Sequence, residues 1–222
     1  VTQALLEEEG VGMAGRGYPE VYKMRISLDT ETGGLEAAEN PLLQVSLWQP
    51  EGPCFEERVL PGPGMKIHPR ALQANGLDPA VGIPADECAR RLVAWWKSIG
   101  SPRFELIGQN VGPFDVPFLK QLTRVGVDVP WAAMFDYHYR DTSVLAFALQ
   151  DAGILHFGKW SLTNICQVLG ILYDPHLARC DAKAAWHAWH RMEGVLSILK
   201  AKSPESAAEL RTGVLHALDL RG

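Results

Sequence analysis

Cysteine is scarce in this 222-residue chain: Cys54, Cys88, Cys166 and Cys180 stand far apart, and none falls in a CxxC spacing. Isolated thiols of this kind argue against a zinc site or a disulfide-framed fold, and they predict reduced cysteines in a cytoplasmic setting. Positive charge is not in excess either. Lysine and arginine number 21 against 26 aspartates and glutamates, a formal net charge of −5. The broad basic surface that grips nucleic acid non-specifically is therefore missing, and any such contact must be local and helped by metal. No apolar run approaches the roughly 20 residues of a membrane helix, and the N-terminus lacks the basic-then-apolar order of a secretory signal. The expectation is a protein with no membrane partner. Internal repeats and low-complexity tracts are absent too.

What remains is an ordinary core-forming composition, 47% hydrophobic and 21% charged, enough for one large domain. Residues 1–22 carry an acidic stretch followed by glycines and are expected to be a flexible leader. A domain is expected over 23–199, and 200–222 as a helical tail that packs on it or binds a partner. MRISLD, LLQVSLW and FEERVL read as three strands with short turns between them, an antiparallel meander. Helical spacing follows in PADECARRLVAWWKSIG, with Pro84 at its start and Gly100 at its end. FELIGQ reads as another strand, and helices are expected from Phe114 to Val125, in TSVLAFALQ and in SLTNICQVLG. The long HLARCDAKAAWHAWHRMEGVLSILK is expected to begin at Asp174-Pro175, and SPESAAELRTGVLHAL at Ser203. Strands first, then strands alternating with helices, predict an α/β domain with a mixed sheet flanked by helices.

Four acids in three short segments carry the chemistry. Asp29 and Glu31 stand two apart at the end of the first strand, so their carboxylates share a face and can reach one point. Asp115 follows Asn110-Val-Gly-Pro-Phe114 after the strand FELIGQ. It reads either as a carboxylate for a site or as a helix cap. His176 and Asp181 open the long helix. A neutral imidazole suits a general base, although a charged surface turn gives the same letters. Hard divalent cations take oxygen ligands of this type, and a paired-metal site that cuts phosphodiesters needs about this many acids.

Taken in order, DTE at 29–31, NVGPFD at 110–115 and HLARCD at 176–181 resemble the three motifs of the DEDDh, or DnaQ-like, 3′–5′ exonuclease family. That family includes proofreading subunits of DNA polymerases. Leu177 stands where a tyrosine branch would place its tyrosine, so the resemblance is to the histidine branch. It covers about residues 23–195, and ALQANGL and SLTNICQVLGI agree with it. The resemblance implies a ribonuclease H-like fold with about five strands. It implies Mg²⁺ or Mn²⁺, two ions per site, with Asp29, Glu31 and Asp181 on one and Asp29 and Asp115 on the other. His176 would take the proton of the attacking water. Thr32, Leu35 and Asn110 would meet the substrate, Leu35 as an apolar wedge unless it is simply buried. Three departures from the family pattern, Gly33, Gln44 and Gln109, remove no catalytic group, and Ala74 stands where many relatives carry a bulkier wedge.

The implied reaction releases 5′-mononucleotides from single-stranded or frayed 3′ ends, DNA ahead of RNA, in a proofreading-like or trimming role. A DNA polymerase is the protein partner so implied. Two alternatives stay open, a ribonuclease of the same branch and a non-catalytic module that docks on a polymerase. Lys159, Arg179 and Lys183 are candidate phosphate contacts. Trp95, Trp96 and Trp160 are expected to be buried against the sheet rather than stacked on bases, and His187 and His190 to belong to an aromatic helix face.

Overall fold

A computed structural model describes residues 23–202; the leader 1–22 and the segment expected to form a helix from Ser203 lie outside the described residues. Five strands form one sheet in the order β3-β2-β1-β4-β5. β1 (Lys23–Thr32), β2 (Leu42–Trp48) and β3 (Phe55–Arg58) make the antiparallel meander. β4 (Arg103–Gly108) and β5 (Phe135–Asp141) lie parallel to β1. This is the mixed, helix-flanked α/β sheet of a ribonuclease H-like fold.

Alternation along the central strands divides the core. Ile26, Leu28, Val45 and Leu47 pack with Leu92 of α2 (Ala85–Ser98) and Phe118 of α3 (Asp115–Leu122). Ser27, Asp29 and Glu31, with Gln44, Ser46 and Trp48 directly opposite them, take the other face. α7 (Ala178–Lys202) lies there against β1, β2 and β4. Ala182, Ala184, Ala185 and Ala188 of this helix are buried, and side chains this small let its axis come close to the sheet. Trp186 meets Trp48 edge-on at 6.2 Å. α5 (Thr142–Asp151) and α6 (Leu162–Val168) cover α7 through a second core containing Leu149, Ile165 and Met192.

Four elements differ from expectation. β5 was not expected, because FDYHYRD is polar; it is an edge strand, and Asp136 at its start is paired with Lys23 at 2.9 Å. Two short helices also appear, α1 (Pro69–Asn75) and α4 (Trp131–Met134). The long helix starts at Ala178, not at Asp174-Pro175. His176 has φ +72°, the left-handed region that no helix can pass through. At its other end α7 runs unbroken past residue 200 to Lys202. No helix among the described residues is long and apolar enough to cross a membrane.

Candidate active site

Three of the four acids meet. Carboxylate oxygens of Asp29, Glu31 and Asp181 all lie within 4.8 Å of one another. Asp29 and Glu31 come from one strand face, and Asp181 is in the first turn of α7. The turn before the helix sets its orientation. With His176 left-handed, its backbone N–H donates to Asp181 Oδ2 at 2.8 Å. The His176 side chain itself is exposed.

Asp115 lies outside that group of three and is held by Thr30. It is the first residue of α3 and only 2% exposed, and Thr30 Oγ1 donates to its Oδ1 at 2.6 Å. It does not cap the helix with its side chain. Its charge still reaches the cluster, where it is the strongest charged influence on Asp29. Asn110 has φ +56°, and its N–H donates to Asp141 Oδ1 at 3.1 Å. The role visible for Asn110 is to turn the chain from β4 toward α3, which asparagine tolerates better than most residues.

Burial and mutual repulsion push the acids toward protonation. Burial raises Asp29 well above the ordinary carboxylate range, and Asp115, Asp181 and Glu31 add to it. Glu31 is pushed up to about 7 by burial and by Asp181, against a hydrogen bond from Asn75. Burial takes Asp115 to about 8 despite its bonds to Thr30. Asp181 is raised by burial and held back by the His176 N–H and by Tyr173. Among the described residues no lysine or arginine forms an ion pair with any of the four. Crowded carboxylates with no lysine or arginine paired to them among the described residues fit a divalent cation, which takes carboxylate oxygens and would relieve the repulsion.

Beside Glu31 opens a groove of about 960 Å³. Leu35 is 78% exposed on its wall, so burial does not account for this leucine. Ala74, Arg70, His68 and Phe114 also line the groove. Thr32 borders it too, but its hydroxyl is turned inward to the Gly34 carbonyl at 2.6 Å. Gly33 and Gly34 serve close packing: a Cβ on Gly33 would meet Pro41 Cδ at 2.7 Å, and one on Gly34 would meet the Asn40 side chain.

Two residues beside the acids lie outside the three acidic motifs. Buried Asn75 hydrogen-bonds toward Glu31 and donates to the Thr32 carbonyl at 3.2 Å. Asn75 lies in the quoted ALQANGL, where only the position of α1 shows its use. The Tyr173 hydroxyl, 3.0 Å from Thr163 Oγ1, reaches toward Asp181. The remaining expectations divide. Trp96 is buried and Trp95 stacks on Phe104, whereas Trp160 is half-buried against the second core, tilted on the exposed Phe147. His190 stacks on Trp186, as an aromatic helix face requires. Arg179 pairs with Glu56 at 3.7 Å, and Lys183 lies over the Trp48 ring at 6.0 Å.

No protein-family model matches the chain, and no curated protein matches it by sequence. Solved structures do. An apo Exonuclease I superposes with TM-score 0.63 at 19% identity, covering 89% of this chain and 47% of the other. Exonuclease I from Methylocaldum szegediense gives 0.62 at 16%, covering 82% and 41%. E. coli Exonuclease I in complex with a dA16 oligonucleotide gives 0.61 at 19%, covering 87% and 45%. The chain thus corresponds to less than half the length of these proteins, and what it shares with them is the fold.

Proposed function

We propose that the chain is a divalent-metal-dependent 3′–5′ exonuclease that acts on single-stranded DNA ends. The observation that carries this is the meeting of Asp29, Glu31 and Asp181 within 4.8 Å, with Asp115 and His176 beside them. In this reading Asp29, Glu31 and Asp181 hold one Mg²⁺ or Mn²⁺, and Asp115 with Asp29 holds a second. Such ions, when bound, stabilise the attacking and leaving oxygens of an in-line displacement. His176 removes the proton of the attacking water; its exposed ring can turn to the strand and then hand that proton to solvent. The groove beside Glu31 takes the terminal nucleotide, with Leu35 against its base and Arg70 toward its phosphate. Glu31, pushed up to about 7, must shed its proton to serve, so activity rises with pH through the neutral range.

DNA is favoured over RNA by the Exonuclease I likeness, because that fold has been seen with dA16 and with dT13. Oligonucleotides of one base cannot pair with themselves, which favours trimming of free single strands over a proofreading setting. A matched assay decides it. With Mg²⁺ the chain shortens oligo-dA stepwise and oligo-rA more slowly, and chelator stops both. Oligonucleotide that is bound and never cut overturns the reading in favour of a docking module.

A further inference from the structure

Register sets Gln44 opposite Glu31 and Ser46 opposite Asp29, and β3 adds Glu56 opposite Ser46. Residues opposed across an antiparallel pair point to the same face, so all five share the face that α7 covers. Gln44 is 5% exposed, and a buried amide requires partners. Its nitrogen donates to Glu56 Oε1 at 2.9 Å. The second oxygen of that carboxylate lies 3.7 Å from Arg179 Nη1. Arg179 is in the first turn of α7, two residues before Asp181. A polar chain thus runs from the residue facing Glu31, across the edge strand, to the turn that carries Asp181.

We propose that Gln44, Glu56 and Arg179 form a strut that sets Asp181 over Asp29 and Glu31. They are positioning residues, and the inference rests on reading the acids as cation ligands. The cluster needs such a device. Like charges within 4.8 Å repel, and the first turn of a helix lacks half of its backbone bonds. An exposed Glu–Arg pair alone contributes little, because both side chains rotate freely. Here the buried Gln44 amide fixes one end. Two further buried atoms on this face, Gln44 Oε1 and Ser46 Oγ, have no hydrogen-bond partner among the described residues, so the floor beneath the acids is polar.

Calorimetric titration of the purified chain with Mn²⁺, without substrate, tests the strut. Glu56→Ala and Arg179→Ala each weaken Mn²⁺ binding about tenfold or more, the loss typical of residues that orient ligands. Both lower kcat and leave KM for oligo-dA unchanged. The double reversal Glu56→Arg with Arg179→Glu restores affinity, since the Gln44 amide can turn its oxygen to the new arginine. Unchanged affinity in both single variants overturns the strut, as does a reversal that recovers nothing. Amide hydrogen exchange separates this from failure of the cation reading. If the wild-type chain binds no Mn²⁺, faster exchange at Asp181 and Ala182 in Glu56→Ala still supports the strut, and unchanged exchange removes it.

Discussion

His176 bears the clearest mark of purpose at a single position. A non-glycine residue at φ +72° costs on the order of 1 kcal/mol or more, and such strain persists where the surroundings impose it. Here it aims a backbone N–H at Asp181 and leaves the imidazole exposed. His176→Asn keeps a residue that tolerates this backbone while removing the proposed base. Its kcat falls about 10²- to 10⁴-fold with an unchanged Tm; full activity in that variant removes histidine from the mechanism. Asp29, Glu31, His176 and Asp181 were all legible as candidates, because strand period and motif spacing bear directly on them. The separation of Asp115 from the other three was not. It depends on Thr30, the residue between the two strand acids, facing α3 and taking that carboxylate. Asn75 and Tyr173 were illegible for a similar reason: Asn75 meets its acid only through the placement of α1, and Tyr173 only through the path of the loop before α7.

Among the elements, β1 and β4 decide whether the site forms. Their parallel pairing runs to Ser27 and Ile107, and Gly108 then lets the two backbones come together. A Cβ there would meet the Leu28 carbonyl at 2.8 Å and Val111 Cβ at 2.7 Å. Gly108→Ala therefore destabilises by about 1–3 kcal/mol, the usual cost of overpacking, measured as a drop in Tm; an unchanged Tm contradicts the tight approach. Strands with apolar alternation and helices with clear stops were readable in the sequence. β5 was not, because an edge strand is half solvated and FDYHYRD shows little apolar pattern. The start of α7 was misplaced by a good cap signal, Asp174-Pro175, that the left-handed His176 overrides. The strut through Gln44 and Glu56 was invisible until the register of β2 on β1 and β3 was known.

At the scale of the whole molecule, the acids trade stability for function. Glu31 is raised from 4.5 to about 7 and Asp115 from 3.8 to about 8, so the folded state holds protons that the unfolded chain releases. The stability this contributes is full below about pH 4 and is lost as pH rises through 7 to 8. In chelator, Tm falls across that window; Mg²⁺ restores it at pH 8 and does little at pH 5, where protons compete for the same oxygens. Asp115→Asn raises Tm at pH 8 in chelator and lowers activity. A Tm independent of pH and Mg²⁺ contradicts the cluster's electrostatics. The mixed sheet was legible in outline, yet the solved structures it superposes on share so little sequence, 16% to 19% for the three compared above, that comparison names a fold and no more. The central claim is directional, metal-dependent cleavage at the acid cluster, and one assay addresses it most directly: a single-stranded DNA labelled at either end, incubated with Mg²⁺ and wild-type chain or Asp29→Asn. With wild type, the 3′ label leaves first as a mononucleotide while the 5′ label stays on a shortening ladder, and Asp29→Asn leaves both intact. Equal cutting by Asp29→Asn, or loss of the 5′ label first, would contradict the account.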